Sequence, residues 1–415
     1  MNPTSARARV LAAAVAAASA LGVAAGIEGV GAAAAVPIGP ECPALYVLGV
    51  DGTGLSSPTA DPLADTGVVG ALIGPVLSAV PGLVQRSYIP YSAGFGGAVP
   101  GGGLEPYAVS VAQARSGLDA AAAEIAQQCP ATRIAGVGYS QGAQAVGEFA
   151  RAVGAGAGPV EPDQIAGIAL YAHPGRAPGS PTIPGRPGQV VPDAVPGTGG
   201  QAVGAVELTN PPASGGGLAA RADDYGALEG RVADICTDGD LACSAPERAL
   251  GFQVAAEIAA QADLRDPLTA LSSLNAIFHA ALGDTWTTVL EHDFAIADGN
   301  VDYLPQQPVS QRLLDAADPR VPTPSPEEID AAAARWNLIT ATVAANPWLV
   351  GKLVGQFGSV WGQLSADNAD LINPAVWLRY ADTITRHNSY PSSGQLASGT
   401  AWMIALAHDL AGSSR

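Results

Sequence analysis

A serine flanked by glycines is the strongest candidate for chemistry in this sequence of 415 residues. Ser140 lies in the stretch GYSQG at 138–142, after a short apolar run at 134–137 and before a helical pattern over 141–153. A strand, a sharp turn and a helix in this order lift a serine hydroxyl above the sheet edge, and the flanking glycines avoid a Cβ clash in the crowded turn. The turn also places the Gln141 backbone N–H at a helix start, where it can face a developing oxyanion. The pattern predicts that Ser140 is a nucleophile.

A serine nucleophile needs a base, and two of the five histidines have suitable positions. His387 precedes the last predicted helix, in a loop that can reach over the ends of the strands, and we place it first. His292 lies between Glu291 and Asp293 at a helix end, which also suits a hydrated ion pair, and we place it second. The remaining histidines are expected to be structural or solvated: His173, His279 and His408.

The base in turn needs a carboxylate that orients it, and two aspartates compete for that role. Asp238 and Asp240 both lie between Cys236 and Cys243, where a disulfide would hold the loop rigid and aim one side chain. A solvated acidic turn beside a structural bridge has the same sequence, so the residues alone leave the choice open. Either aspartate gives the chain order Ser, Asp, His that is typical of α/β-hydrolases.

The cysteines and the first residues indicate an oxidising, secreted context. Four cysteines are an even number, which favours two disulfides. Of the three possible pairings we favour a local Cys236–Cys243 loop with a long-range bridge between Cys42 and Cys129. Residues 1–35 combine a short basic start, an Ala-rich apolar run and an A-x-A cleavage site, and are predicted to be a secretory signal peptide. The apolar run approaches membrane-spanning length, so an uncleaved anchor is the alternative.

The composition excludes some partners. The chain has a formal net charge of −18, and only 19 of its residues are Lys or Arg. No basic cluster is present to neutralise phosphates, which argues against nucleic acids and polyanionic substrates. The segment 298–302 (DGNVD) resembles the start of a calcium loop, but it lacks the required glycine and the distal glutamate. We therefore expect no metal and no cofactor.

Alternating apolar runs and helical patterns predict an α/β fold with a parallel, three-layer sheet. The strand-like runs lie at 45–50, 86–91, 133–139, 165–171 and 231–236, with helical periods at 67–80, 107–128 and 141–153 between them. A Pro/Gly-rich loop spans 174–217, and its only strand-like segment lies at 203–208. From residue 244 the period is helical, at 245–263, 268–282, 326–345, 346–363, 374–386 and 397–411. We expect a core over 36–243, a helical insertion or lid over 244–385, and a return to the core over 386–415.

Taken together, these motifs resemble the cutinase family of secreted α/β-hydrolase-fold serine esterases. Ser140 stands in that family's nucleophile pentapeptide, and the segment 236–243 (CTDGDLAC) matches its C-x-x-G-D-x-x-C loop. The resemblance implies that Asp240 is the catalytic acid, that His387 in H-x-x-Y is the base, and that Thr53 in DGTG helps Gln141 to form the oxyanion hole. It also implies the Cys42–Cys129 bridge.

The resemblance covers about 40–243 and 385–413, and it departs from a typical cutinase in two places. About 140 residues separate Asp240 from His387, and the 174–217 loop is long. A helical segment between acid and base is similar to the linker of mycolic-ester hydrolases of the phage lysin B type. So large a segment beside the site is expected to cover it or to shape a long apolar groove.

The sequence therefore predicts a secreted, monomeric serine esterase, cleaved from its signal peptide and acting on lipid or glycolipid esters with long or branched, mycolyl-type acyl chains. Peripheral contact with a cell envelope or lipid surface is expected. Two alternatives stay open at this stage. The same triad would transfer the acyl group to a sugar if a sugar hydroxyl replaced water, and a retained hydrolase fold without activity would serve as an envelope lipid-binding protein.

Overall fold

Five parallel strands form the centre of the protein, in a computed structural model that describes residues 36–220, 222 and 224–413. The predicted signal peptide at 1–35 lies outside these residues. The strands lie side by side in the order β2-β1-β3-β4-β5. Their bounds are β1 Leu45–Val50, β2 Val84–Tyr88, β3 Arg133–Tyr139, β4 Ile165–Tyr171 and β5 Val232–Ile235. The predicted parallel sheet is confirmed, although β2 begins two residues earlier than its apolar run and β5 is shorter.

The helices in the described part of the chain are α1 Gly67–Ala79, α2 Tyr107–Gln128, α3 Gln141–Gly154, α4 Leu250–Gln261, α5 Pro267–His292, α6 Val309–Ala317, α7 Pro326–Ala345, α8 Leu349–Asp367, α9 Pro374–Leu378, α10 Thr383–His387 and α11 Gln395–Ser413. Helices α1 and α11 cover one face of the sheet, and α2 and α3 cover the other.

The layers follow from the alternation of side chains along fully buried strands. In β1, Leu45 and Val47 pack in the same cluster as Trp402 of α11. The intervening residues, Tyr46 and Leu48, pack in the opposite cluster with the helices α2 and α3. Both faces of the sheet are therefore covered, which gives the three-layer architecture of an α/β-hydrolase fold.

Residues 244–385, called the insert below, contain helices α4–α9, the start of α10 and a small hairpin. Helix α7 begins and ends where its pattern predicts. Its start is fixed because Ser325 and Glu328 form a reciprocal capping box there. The hairpin, β6 Phe294–Ala297 with β7 Asn300–Tyr303, was not predicted. Asp298 and Gly299 both have positive φ, at 51° and 74°, and form its two-residue turn. The calcium-like segment is this turn.

One strand prediction in the long loop is wrong. Residues 203–208 form no strand, and Val203–Ala205 is a 3₁₀ turn instead. The carboxylate of Asp409 in α11 accepts hydrogen bonds from the backbone N–H groups of Ala202 and Val203, at 2.8 and 3.0 Å. This cap holds the segment as a turn against α11, a contact that its apolar sequence does not reveal. Among the described residues, no helix has the length and apolar character needed to cross a membrane.

The strand order places several loops at one edge of the sheet. The order reverses between β1 and β3, and such a switch point opens a crevice beyond the carboxyl ends of the strands. The residues that follow β1, β3 and β5 at this edge include Thr53, Ser140 and Asp240. The fold therefore gathers, in one crevice, residues that are far apart in the sequence.

Candidate active site

Ser140 occupies a strained turn between β3 and α3. Its backbone has φ 55° and ψ −121°, outside the regions that L-residues ordinarily adopt. A Cβ at Gly138 would lie 2.6 Å from the Cα of Ala143, and a Cβ at Gly142 would collide with the carbonyl oxygen of Val50. Only glycine fits at both positions. The close packing that the sequence motif demands is present, and it fixes the serine side chain at the edge of the sheet.

The structure brings His387 to Ser140. The Nε2 atom of His387 lies 3.0 Å from the Oγ atom of Ser140. On the other side of the ring, Nδ1 lies 2.9 Å from both carboxylate oxygens of Asp240. Because an ionised carboxylate only accepts hydrogen bonds, Nδ1 carries the proton and Nε2 is left to accept the serine hydroxyl. This is the arrangement that turns a serine into a nucleophile.

Asp240 is fully buried and has further donors. The hydroxyl of Tyr390 donates to its Oδ2 at 2.8 Å, and the backbone N–H of Ala242 donates to its Oδ1 at 3.1 Å. Tyr390 is itself buried, and its oxygen accepts the N–H of Thr237 at 3.1 Å. These bonds offset the cost of burying the carboxylate and fix its orientation.

Asp238, the competing aspartate, faces a different partner. Arg379 of the insert binds it through two guanidinium nitrogens, and Ser214 donates from both its N–H and its hydroxyl. Burial raises the pKa of Asp238, but the hydrogen bonds from Ser214 and Arg379 outweigh it, so the net pKa is lowered. Asp238 thus anchors the insert, whereas Asp240 faces the histidine.

Several contacts connect α10 to the loop between Cys236 and Cys243, although about 140 residues separate them in the chain. The Thr383 hydroxyl accepts the N–H of Leu241 at 2.8 Å, and Arg386 donates to the carbonyl of Asp238 at 2.5 Å. The hydroxyl of Tyr139 donates to the carbonyl of His387 at 2.7 Å. These bonds hold His387, the last residue of α10, over the end of β3. We had expected it in a loop just beyond a helix.

The disulfides join Cys42 to Cys129 and Cys236 to Cys243, with Cα atoms 5.6 and 5.9 Å apart. The first ties the chain before β1 to the end of α2. The second closes the loop that carries Asp240. These are the pairs that we favoured from the sequence.

The predicted oxyanion residues lie beside Ser140. An ideal Cβ at Gly52, next to Thr53, would lie 3.1 Å from the Cβ of Ser140. The Thr53 hydroxyl donates to the side-chain oxygen of Gln141 at 3.3 Å. The side-chain nitrogen Nε2 of Gln141 donates to the carbonyl of Gly94 at 2.9 Å. The Gln141 side chain is buried and fixed, while its backbone N–H lies in the first turn of α3, where a helix offers no internal acceptor.

A cavity of about 640 Å³ opens at Ser140. Residues of α2 in the core and of α4 in the insert line this cavity. The lining is mainly apolar and includes Leu55, Phe95, Val99, Val111, Leu218 and Ile384. A cavity of this size and character suits a ligand with a hydrocarbon part.

The other histidines lie elsewhere. His173 is fully buried, and its Nδ1 lies 2.7 Å from Asp234. His279, His292 and His408 are exposed on helices, and none of them lines the cavity. No group of three or more metal-ligating side chains occurs within the described ranges.

Two tyrosines at the site have roles that the sequence motifs alone do not predict. Tyr390 is the last residue of the H-x-x-Y motif, and Tyr139 is the second residue of the pentapeptide. Their closeness in sequence to His387 and Ser140 is the signal that could have indicated these roles, since a buried hydroxyl is expected to have a hydrogen-bond partner.

Comparisons with known proteins agree with the resemblance. Residues 59–257 match the family model described as Cutinase. The Carboxylesterase Culp6 homolog of Corynebacterium glutamicum is 29% identical over 222 residues, which cover 51% of this chain and 68% of that protein. The resemblance to cutinases is confirmed.

Two solved structures are similar at low identity. The catalytic core domain of acetyl xylan esterase from Trichoderma reesei is 20% identical, with a TM-score of 0.35, over 57% of this chain and 99% of that one. Lysin B from Mycobacteriophage D29 is 18% identical, with a TM-score of 0.33, over 71% of this chain and 90% of that one. These scores are too low to indicate a substrate.

Proposed function

We propose, from the premise that this chain is a serine carboxylic ester hydrolase with a cutinase domain at residues 59–257, that it cleaves lipid esters through Ser140, Asp240 and His387. One observation carries the proposal. His387 lies 3.0 Å from Ser140 on one side and 2.9 Å from the buried carboxylate of Asp240 on the other, at the mouth of a mainly apolar cavity. A nucleophile, a base and an orienting acid are the parts that acyl transfer to water requires.

The geometry suggests the following steps. Nε2 of His387 accepts the Ser140 proton while Oγ attacks the ester carbonyl, and Asp240 stabilises the imidazolium that forms. The Gln141 N–H donates to the oxyanion, and the Thr53 hydroxyl turns from the Gln141 side chain to become the second donor. His387 then gives its proton to the leaving alkoxide. A water molecule, deprotonated by His387, attacks the acyl-enzyme, and the carboxylic acid leaves as Ser140 recovers its proton.

The cavity supports a substrate with a long or branched acyl chain. Its walls come from α2 in the core and α4 in the insert, so the insert completes a groove that the core alone would leave open. Burying apolar area stabilises a bound chain by about 25 cal/mol per Å². That the insert moves as a lid stays a prediction.

The surface of the insert supports contact with a lipid phase. On α5, Leu268, Leu271, Phe278, Leu282 and Trp286 are exposed at helical spacing, and on α8, Val350, Val354, Phe357 and Trp361 are exposed in the same way. The α8 residues form one continuous apolar face, whereas on α5 the exposed side chains of Asn275 and His279 interrupt the apolar residues. Helical faces that carry tryptophan are typical of interfacial segments. Because the chain is acidic, we propose contact with an uncharged lipid surface.

The proposal includes secretion, since the disulfides suit an oxidising compartment and residues 1–35 have the pattern of a signal peptide. Cutinase-like esterases are typically secreted proteins. Mass spectrometry of the mature N-terminus in culture medium would test this part.

An alkyl phosphonate that labels serine esterases tests the enzymatic proposal. We expect one adduct on Ser140, loss of p-nitrophenyl ester hydrolysis in proportion to labelling, and no adduct in Ser140→Ala. In a series of ester substrates, longer acyl chains should give the higher kcat/KM. A folded protein that hydrolyses none of the esters, or that is labelled at another residue, would contradict the proposal.

A further inference from the structure

The cavity contains a group of polar side chains that the ester reaction does not use. Gln144 and Glu148 lie on α3, four and eight residues after Ser140, and therefore on the same face of the helix. At 1.5 Å per residue, Glu148 is displaced from Ser140 by about 12 Å along the helix axis. The Tyr107 hydroxyl donates to Gln144 at 2.9 Å, and Gln144 donates to Glu148 at 3.1 Å. A hydrogen-bonded row thus leads away from the nucleophile.

Arg320 of the insert meets the end of this row. Its guanidinium donates to Asp318 at 2.7 Å and to Glu257 at 2.8 Å, and its Nη1 lies 3.5 Å from Glu148. The exposed fractions of the Arg320 and Glu148 side chains are 22% and 26%, whereas that of Glu257 is 7%. Arg320 and Glu148 therefore present polar atoms to the cavity while their partners hold them in place.

The intervening walls are apolar. The lining includes Ala108, Val111 and Ala112 of α2 and Ala256 and Ala260 of α4. A ligand that reaches from Ser140 to Arg320 must carry an apolar stretch and then a polar group. An extended chain spans about 1.1 to 1.2 Å per bond, so the polar group stands about ten bonds from the carbonyl.

The charges of the cluster select the kind of polar group. One guanidinium faces three carboxylates, those of Glu148, Glu257 and Asp318, so the cluster is net negative and disfavours a phosphate or a free carboxylate. A neutral hydroxyl can donate to Glu148 and accept from Arg320, the pairing that these groups offer.

We propose that Glu148 and Arg320, with Gln144 donating to Glu148, form a subsite for a hydroxyl group about 12 Å along α3 from Ser140. This inference rests on the proposed function and makes its substrate more specific. The esters that fit best carry a hydroxyl group about ten bonds from the carbonyl, either along the acyl chain or in the alcohol part. Both sources offer the same chemistry to the cluster.

Binding to the Ser140→Ala protein tests the subsite without turnover. The probes are methyl ω-hydroxydecanoate against methyl decanoate for the acyl source, and 8-hydroxyoctyl acetate against octyl acetate for the alcohol source, each titrated calorimetrically below its aggregation concentration. Both hydroxylated probes carry the hydroxyl about ten bonds from the carbonyl. We expect at least one hydroxylated ester to bind about tenfold more tightly than its unhydroxylated counterpart, and the better probe identifies the source.

Variants in the same background assign the preference. Glu148→Gln should reduce the preference for the hydroxylated ester by about tenfold, since the substitution removes one charged acceptor. Glu327→Gln, the same change in the exposed first turn of α7, is the control and should leave the preference intact. Equal binding of the hydroxylated and unhydroxylated ester in both pairs, or a preference that survives in Glu148→Gln, would overturn the inference. Absence of ester hydrolysis by the wild-type protein would overturn the proposed function instead, because the binding preference needs no reaction.

Discussion

The core and the insert differ in how they treat large apolar side chains. In the core, Trp402 and Tyr46 are fully buried between the sheet and its helices. In the insert, Trp286, Trp336, Trp348 and Trp361 are 41 to 71% exposed, and the apolar contacts are divided between two small clusters. The core is therefore packed to hold in place a strained turn and the side chains of Ser140, His387 and Asp240. The insert leaves apolar surface uncovered, which favours a role in contact with lipid.

Glycine substitutions should give the largest contrast between the two regions. In Gly142→Ala the new Cβ meets the Val50 carbonyl, and we expect a loss of about 3 kcal/mol or more in the free energy of unfolding. In Gly355→Ala, on α8, the new Cβ has no atom within 4 Å among the described residues beyond its own helix backbone, so the variant should gain about 0.5 to 1 kcal/mol from helix propensity. Urea unfolding measures both. A tolerated Gly142→Ala would show that the turn is not tightly packed.

A buried carboxyl in the core should make stability depend on pH. Burial raises the pKa of Asp51 from 3.8 to about 6, although hydrogen bonds from the backbone of Val69 and Val68 lower it. The folded state holds this proton more tightly than the unfolded state. The contribution of the protonated Asp51 carboxyl to the free energy of unfolding is thus complete below pH 3.8. It is lost as pH rises to about 6, a change of roughly 3 kcal/mol.

In the insert, an aspartate makes stability depend on pH in the opposite direction. Hydrogen bonds from the Thr269 side chain and backbone lower the pKa of Asp266, the exposed cap of α5, so its contribution is present at neutral pH and is lost in acid. Unfolding of Asp51→Asn and Asp266→Asn between pH 3 and 7 separates the two. The Asp51→Asn curve should lose the fall in stability between pH 4 and 6. An unchanged curve would contradict the assignment to Asp51.

Two buried tyrosines make a matched pair. Tyr390→Phe removes the donor to Asp240, and we expect kcat to fall about tenfold with little change in KM, since a hydrogen bond to a charged group contributes about 1.5 kcal/mol or more. Among the described residues, the hydroxyl of Tyr303 in the insert has no hydrogen-bond partner, so Tyr303→Phe should leave kcat unchanged and should not lower the free energy of unfolding. Equal effects of both changes on kcat would reject a positioning role for Tyr390.

The exposed tryptophans should matter for lipid contact more than exposed residues of the core. Trp361→Gln is expected to reduce binding to uncharged phosphatidylcholine vesicles severalfold, because it removes an apolar side chain from the face of α8. Leu63→Gln, at an exposed leucine of the core, serves as the control and should bind as the wild type does. Vesicle co-sedimentation measures both. No binding by the wild-type protein would refute the lipid-surface proposal.

The predictable parts of the fold depend on local sequence. Runs of apolar residues bounded by turns predicted the strands, and the Ser140 turn could be identified because its glycines meet a constraint within a few residues. The helix at 326–345 was predictable from its period, and the capping box at Ser325 that marks its start is likewise formed within a few residues. The hairpin at 294–303 was missed, since two strands of four residues leave too short an alternation to recognise.

The rest of the site depends on distant contacts. Asp238 and Asp240 are equivalent in the sequence of their loop, and what distinguishes them is Arg379 and His387, about 140 residues later. The turn at 203–205 likewise depends on Asp409. Periodicity within a segment does not reveal such partners. The resemblance to a family supplied the choice of Asp240, and the boundaries of the insert as a domain stay a prediction.

The most direct test of the account compares two histidines, one at the core and one in the insert. His387→Ala should lower kcat for a p-nitrophenyl ester at least about a thousandfold, because the base is lost, while His292→Ala should keep the wild-type rate. Circular dichroism would establish that both variants are folded. Activity that persists in His387→Ala, or that disappears in His292→Ala, would contradict the assignment of the base and with it the proposed triad.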